Sequence, residues 1–168
     1  MKYLAFLAFL TTVPLANWLI GNVGTTCIPD GPCLIPVGFG LSAPSGVLVI
    51  GAALVLRDVV QQLLGLRWAL AAIACGVVLS ALFAPPTLVL ASAVAFAVAE
   101  LLDLGVYTPL RRHNLPLAVL ASGVIGAFAD SAVFLIIAFG SLDYLAGQMV
   151  GKIWMSAAAC VFVMWRRA

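Results

Sequence analysis

The sequence predicts an all-α, polytopic membrane protein, a single domain over residues 1–168 with six transmembrane helices and both termini on the cytoplasmic side. Three observations predict it. First, 65% of the residues are hydrophobic and only 8% charged, with a mean hydropathy of +1.22, whereas soluble domains carry about 25% charged residues. Second, six segments approach the length of about 20 mainly apolar residues that a spanning helix needs. Third, the basic residues gather in alternate loops.

The first segment, Tyr3–Gly21, follows Lys2 and looks superficially like a secretory leader. Five more apolar segments come after it and no small-x-small cleavage site precedes Asn17, so it reads as a retained helix. The others are Ser45–Gly65, the short Trp68–Phe83, Thr87–Leu110, Pro116–Phe139 and Leu145–Trp165. Breaks fall at "RW" after Gly65, "APP" (Ala84–Pro86), "RRHN" (Arg111–Asn114) and "GSLD" (Gly140–Asp143). Connections this short favour antiparallel neighbours. The exception is Asn22–Pro44, long, rich in Gly and Pro and still apolar. Its part "IPVGFGLSAPSG" suits a segment that re-enters the membrane, because irregular backbone is tolerated at that depth only where it is buried or lines a cavity.

This arrangement puts Lys2, Arg67, Arg111, Arg112, Arg166 and Arg167 on one side, and Asp30 and Asp143 on the other. Positive loops favour the cytoplasm, which places both termini there. Trp18, Trp68 and Trp165 sit near the predicted boundaries, as interfacial aromatics do. Cys27 and Cys33 share the long outer loop, where a disulfide and two free thiols are both open readings. Cys75 and Cys160 read as small packing residues on helices. His113 lies at a membrane edge and makes no metal site with the cysteines by spacing. The small residues Ala71, Ala72, Gly76, Gly123, Gly126 and Ala127 suit close helix packing. A net charge of +2 with no Lys/Arg-rich run gives no nucleic-acid surface. HExxH, GxSxG, P-loop and dinucleotide-binding patterns are missing, so no catalytic residue, cofactor or metal is expected.

Against this apolar background, "AELLDLGVY" (99–107) places Glu100 and Asp103 inside a helix. Arg57, Asp58, Asp130 and Lys152 are also at membrane depth. A charge there costs about 2.5–3.5 kcal/mol on insertion scales, so the groups must face one another, water or a ligand. At about 1.5 Å per residue, Arg57 lies roughly 18 Å and Glu100 roughly 20 Å below the outer ends of their helices, so these two can meet. Asp130, roughly 22 Å above its inner end, matches Lys152, roughly 10 Å below its outer end. The expectation is two tiers of paired charge, with Asp58 and Asp103 left for another purpose. Glu100, Asp103 and Tyr107 share one helix face, as do Asp58, Gln61 and Gln62, Asp130 and Phe134, and Gln148 and Lys152. Polar faces on four helices point to one interior site, which Asn17 can join.

The segments "PSGVLVIGAALVLRDVVQQLLG" (44–65), "AELLDLGVYTPLRR" (99–112), "ADSAVFLIIAFGSLD" (129–143) and "GQMVGKIWM" (147–155) resemble the VUT family, the six-helix bacterial membrane proteins that include the queuosine-precursor transporters. The chain departs from the family pattern at Gly123, where relatives have Asn. The resemblance implies inner-membrane uptake of 7-cyano-7-deazaguanine (preQ0), 7-aminomethyl-7-deazaguanine (preQ1) or a related deazapurine. A guanine-like edge presents two adjacent donors that a carboxylate accepts together, and its faces stack on aromatics. Glu100 or Asp103 would take the amino edge, Arg57, Lys152 or Gln62 the acceptor edges, and Tyr107, Phe134 or Trp154 the ring faces. Asp58 or Asp130 would carry a proton in symport, with facilitated diffusion equally allowed. Partners are then the substrate and the bilayer, with a homodimer left open. Two other classes also fit: a substrate-binding subunit needing a separate energising module, like the small vitamin-binding components of ECF systems, and a non-transporting scaffold.

Overall fold

The computed structural model describes residues 2–29 and 31–165, the side chains of Lys2 and Val163 excepted. In chain order these form α1 (Lys2–Asn22), β1 (Thr26–Cys27), β2 (Cys33–Gly38), β3 (Leu41–Pro44), α2 (Val47–Leu64), α3 (Leu66–Phe83), a 3-10 turn (Pro86–Leu88), α4 (Val89–Leu110), α5 (Leu115–Phe139) and α6 (Leu145–Trp165). All six helices are long and apolar enough to cross a membrane. Asp30, Arg166 and Arg167, on which part of the predicted orientation rests, lie outside the described residues, as does the side chain of Lys2.

Local chemistry sets the boundaries. Gly65 alone joins α2 to α3, at φ 92°, a backbone state that an L side chain disfavours. Asn114 caps α5 by accepting from the Leu117 amide at 3.1 Å, and Gly140 ends that helix in the left-handed conformation. The turns that join α2 through α6 are short, so those neighbours run antiparallel, while α1 runs into the sheet and α2 out of it. The ends of α1, α3 and α5 therefore lie with the β-strands (the sheet side). The loops carrying Arg67, Arg111 and Arg112 lie at the other end (the arginine side).

Burial is inverted relative to a soluble bundle. Leu82 (72% exposed) and Leu90 (67%) face outward, while Arg57 and Asp103 (both 0%) are inside. Outward leucines have lipid as their solvent, so the interior is where polar groups go. Glycines allow the close approaches. A Cβ on Gly51 would lie 3.0 Å from Lys152 Cα, and one on Gly76 would lie 2.6 Å from the Phe96 ring. Cys160 is half-buried, its thiol 3.6 Å from the Pro116 carbonyl. Cys75, expected to pack between helices, is exposed on α3 instead.

The all-α expectation needs one correction. Instead of an irregular segment, 22–44 holds a three-stranded antiparallel sheet in the order β1-β2-β3. Cys27 pairs with Cys33 across β1 and β2 and is bonded to it as a disulfide. β2 pairs Leu34 with Pro44 and Ile35 with Ala43, and has a bulge between Pro36 and Gly38. The sheet lies against α6. Gly147 of that helix leaves room for the Ser42 carbonyl, Gly151 packs on Val37 and Val47, and Trp154 Nε1 donates to the Val37 carbonyl at 3.1 Å.

Candidate functional site

Among the described residues, two buried polar centres occupy the bundle. The first is a cavity of about 50 Å³ toward the sheet side, to which every helix contributes. Lys152 organises it. Its Nζ donates to Asp130 Oδ2 at 2.5 Å, Ser131 Oγ at 2.7 Å and Gln148 Oε1 at 2.7 Å. An ammonium has three donors, so all are spent inside the protein. Lys152 thus works as a fixed charge that holds Asp130 and Gln148 in place rather than as a donor to a ligand. Asp130 Oδ1 and the Gln148 amide NH₂ remain for the cavity. Opposite them, Ser80 and Ser92 share a hydrogen bond at 2.8 Å, and Ser92 donates to Asn17 Oδ1 at 3.0 Å. Phe96 and Phe134 supply aromatic walls, and Pro44, Gly46 and Val47 close the sheet side.

The second centre lies further toward the arginine side, around Arg57. Its Nε donates to Glu100 Oε2 at 3.2 Å, its Nη1 lies 2.8 Å from Asp58 Oδ1, and its Nη2 donates to Asp103 Oδ1. One guanidinium thus serves three carboxylates, none more than 3% exposed. Gln61 Oε1 lies 3.4 Å from Arg57 Nη1, and its amide donates to Thr108 at 2.9 Å. Tyr107, buried, stands between two cations, with Arg57 5.6 Å and Arg111 6.0 Å from its ring centre.

The single interior site expected from the sequence is therefore two. Asp130, Phe134 and Lys152 line the cavity, as does Asn17, while Arg57, Asp58, Glu100, Asp103 and Tyr107 form the second centre. Both anticipated tiers are present, Arg57 with Glu100 and Lys152 with Asp130. Asp103, expected to lack a basic partner, has Arg57. Residues three apart on α4 lie about 4.5 Å apart along its axis, close enough for one guanidinium fork to hold both acids. Asp58, also left over in that scheme, is held by the same fork. Gln62 is exposed at the arginine end, where its Oε1 is 3.4 Å from Tyr107 Oη, and so does not reach the interior. Trp154 faces outward, 52% exposed and stacked on Phe39 at 6.3 Å, so it is no wall of the cavity. Ser80, Ser92 and Phe96 were not anticipated. The available signal was two serines at similar depth on either side of the "APP" break, on helices otherwise apolar.

Over residues 82–166 the chain matches the family described as "Putative vitamin uptake transporter". No curated protein and no solved structure matches it. The matched region spans α4, α5 and α6 and so includes Glu100, Asp103, Asp130 and Lys152, four of the six ionisable groups at depth. A polar cavity enclosed by six apolar helices fits such a family, and the match covers half the chain: this protein belongs to the vitamin uptake transporter family and is a multi-pass membrane protein.

Proposed function

We propose that the chain imports a queuosine precursor, preQ0 or a related deazapurine, across a bacterial inner membrane, with both termini cytoplasmic. The observation that carries this reading is the cavity built by all six helices around the Lys152–Asp130 pair. The pair is neutral as a unit, which favours an uncharged ligand. The free Asp130 Oδ1 accepts from the N1–H or the 2-amino group of a guanine-like edge. The Gln148 amide donates to a carbonyl, and Phe96 and Phe134 are placed to stack on the ring. Asp130 thus takes the role that the sequence offered to Glu100 or Asp103. At about 50 Å³ the cavity holds roughly three to five waters. A bicyclic base needs more room, so this is a closed form from which helices or sheet part to admit substrate.

The test is uptake of labelled preQ0 and preQ1 by cells expressing this chain alone. Uptake above the empty-vector control is expected, with no ATPase partner supplied. Asp130→Asn removes a charge-assisted contact of about 1.5–3 kcal/mol, roughly ten- to hundredfold in apparent affinity. Phe134→Ala removes a stacking face of about 1–3 kcal/mol. Normal uptake by both variants, at wild-type expression, would refute the assignment. Uptake that appears only when a separate energising module is co-expressed would make the chain a binding subunit instead.

A further inference from the structure

The Arg57 centre lines no part of the cavity, yet it holds more buried charge than the cavity does. With all groups ionised, three carboxylates face one guanidinium, leaving two negative charges in excess among side chains at most 3% exposed. Buried charge without a counter-charge costs several kcal/mol per ion. The hydrogen bonding shows the same deficit. Among the described residues, Glu100 Oε1 and Asp103 Oδ2 are buried with neither a hydrogen bond nor an ion pair, and Asp58 Oδ1 makes no hydrogen bond and has only its ion pair to Arg57. The carboxylates are spread round the guanidinium rather than converging on one point, and no group of three such side chains among the described residues is disposed to hold a metal ion. What an unpartnered carboxylate oxygen in an over-negative, dry site takes up is a proton.

We propose that the Arg57–Asp58–Glu100–Asp103 centre is the proton-binding site that couples this protein's transport to a proton gradient, a proposal that rests on the transport reading above. Protons enter from water on one side, convert Glu100 or Asp103 to the neutral acid, and return to water on the other. The groups facing the centre are Arg57, Asp58 and Gln61 from α2, Glu100, Asp103, Tyr107 and Thr108 from α4, Ser122 from α5, and Arg111 beyond Tyr107; Asp130 of α5, itself paired with Lys152 of α6, is near enough for its charge to act on Glu100. No titratable group of α1, α3 or α6 among the described residues makes an ion pair with it.

Helix α5 links this centre to the cavity. Ser122 donates to Asp58 Oδ2 at 3.4 Å. One turn on, Gly126 backs directly onto Asp103, where a Cβ would lie 2.9 Å from Oδ2. One further turn brings Asp130, which holds Lys152. These three residues recur every fourth position, hence on one helix face. A proton that changes the charge on Asp103 acts on the same face of the same helix that presents Asp130 to substrate.

The test uses the purified full chain. Infrared spectra of wild type at neutral pH should show the C=O stretch of a buried protonated carboxylic acid, lost on strong alkalinisation and diminished in Glu100→Gln and Asp103→Asn. In liposomes with the electrical potential clamped, labelled preQ0 should accumulate about tenfold per unit of inside-alkaline pH gradient for one proton per substrate. Without the gradient, or in the double variant, the ratio should fall to that of simple equilibration. A wild-type spectrum with no protonated acid, or an accumulation ratio indifferent to the gradient, overturns the proposal. If preQ0 neither binds nor crosses under any gradient, the substrate reading fails, and the infrared result on wild type still decides the proton site.

Discussion

Arg57 bears the greatest electrostatic responsibility of any residue here. Replacing it by Met leaves three buried carboxylates without a cation, and removing one partner of a buried pair costs about 3–5 kcal/mol. Arg57→Met should therefore lower the melting temperature in detergent strongly. Adding Asp58→Asn, Glu100→Gln and Asp103→Asn to it should restore most of the loss, because the penalty lies in unbalanced charge rather than lost packing. A quadruple variant no more stable than the single would contradict this. Arg57→Lys should not substitute, since an ammonium lacks the planar fork that reaches three acids. The sequence foretold the pairs Arg57–Glu100 and Lys152–Asp130 because depth can be counted along helices. It hid Asp103 because a depth count gives each charge one partner, while a guanidinium has five donors. Trp154 was legible as an aromatic near the site, but its direction depends on the sheet that it packs against.

Helix positions were readable from apolar length, and the segment Leu145–Trp165 coincides with α6. The sheet was not. Its strands are two, six and four residues long, with Pro36 inside β2 and Pro44 ending β3, and proline within a run argues against a strand. Its stability comes from contacts remote in sequence. Trp154 donates to the Val37 carbonyl and stacks on Phe39 with the rings 8° apart. Trp154→Ala should raise amide hydrogen exchange through β2 and β3 while leaving α2 to α5 protected. Unchanged exchange there would mean that the disulfide and the strand pairing alone hold the sheet. Helix contacts give a second expectation. A methyl at Gly51 meets the Lys152 backbone, which cannot swing aside as a side chain would. Gly51→Ala should cost about 1–3 kcal/mol and lower preQ0 uptake beyond what expression level explains, by displacing Lys152 from Asp130.

At the scale of the molecule, the distribution of charge predicts both termini in the cytoplasm. Reporter fusions that distinguish the two compartments should place the C-terminus inside and the stretch around Cys27 outside; the opposite pattern would reverse the direction in which the two centres lie. The architecture also constrains how the protein opens. Helices α2 and α3 are tied by the single residue Gly65 at the arginine end. Toward the sheet end Val47 and Ile50 of α2 and Ser80 of α3 line the same cavity. A link with no slack acts as the pivot of a pair of tongs. These two helices can spread where the sheet sits but stay together at their tied end, so on the transport reading proposed above an opening on the arginine side is expected between other helices.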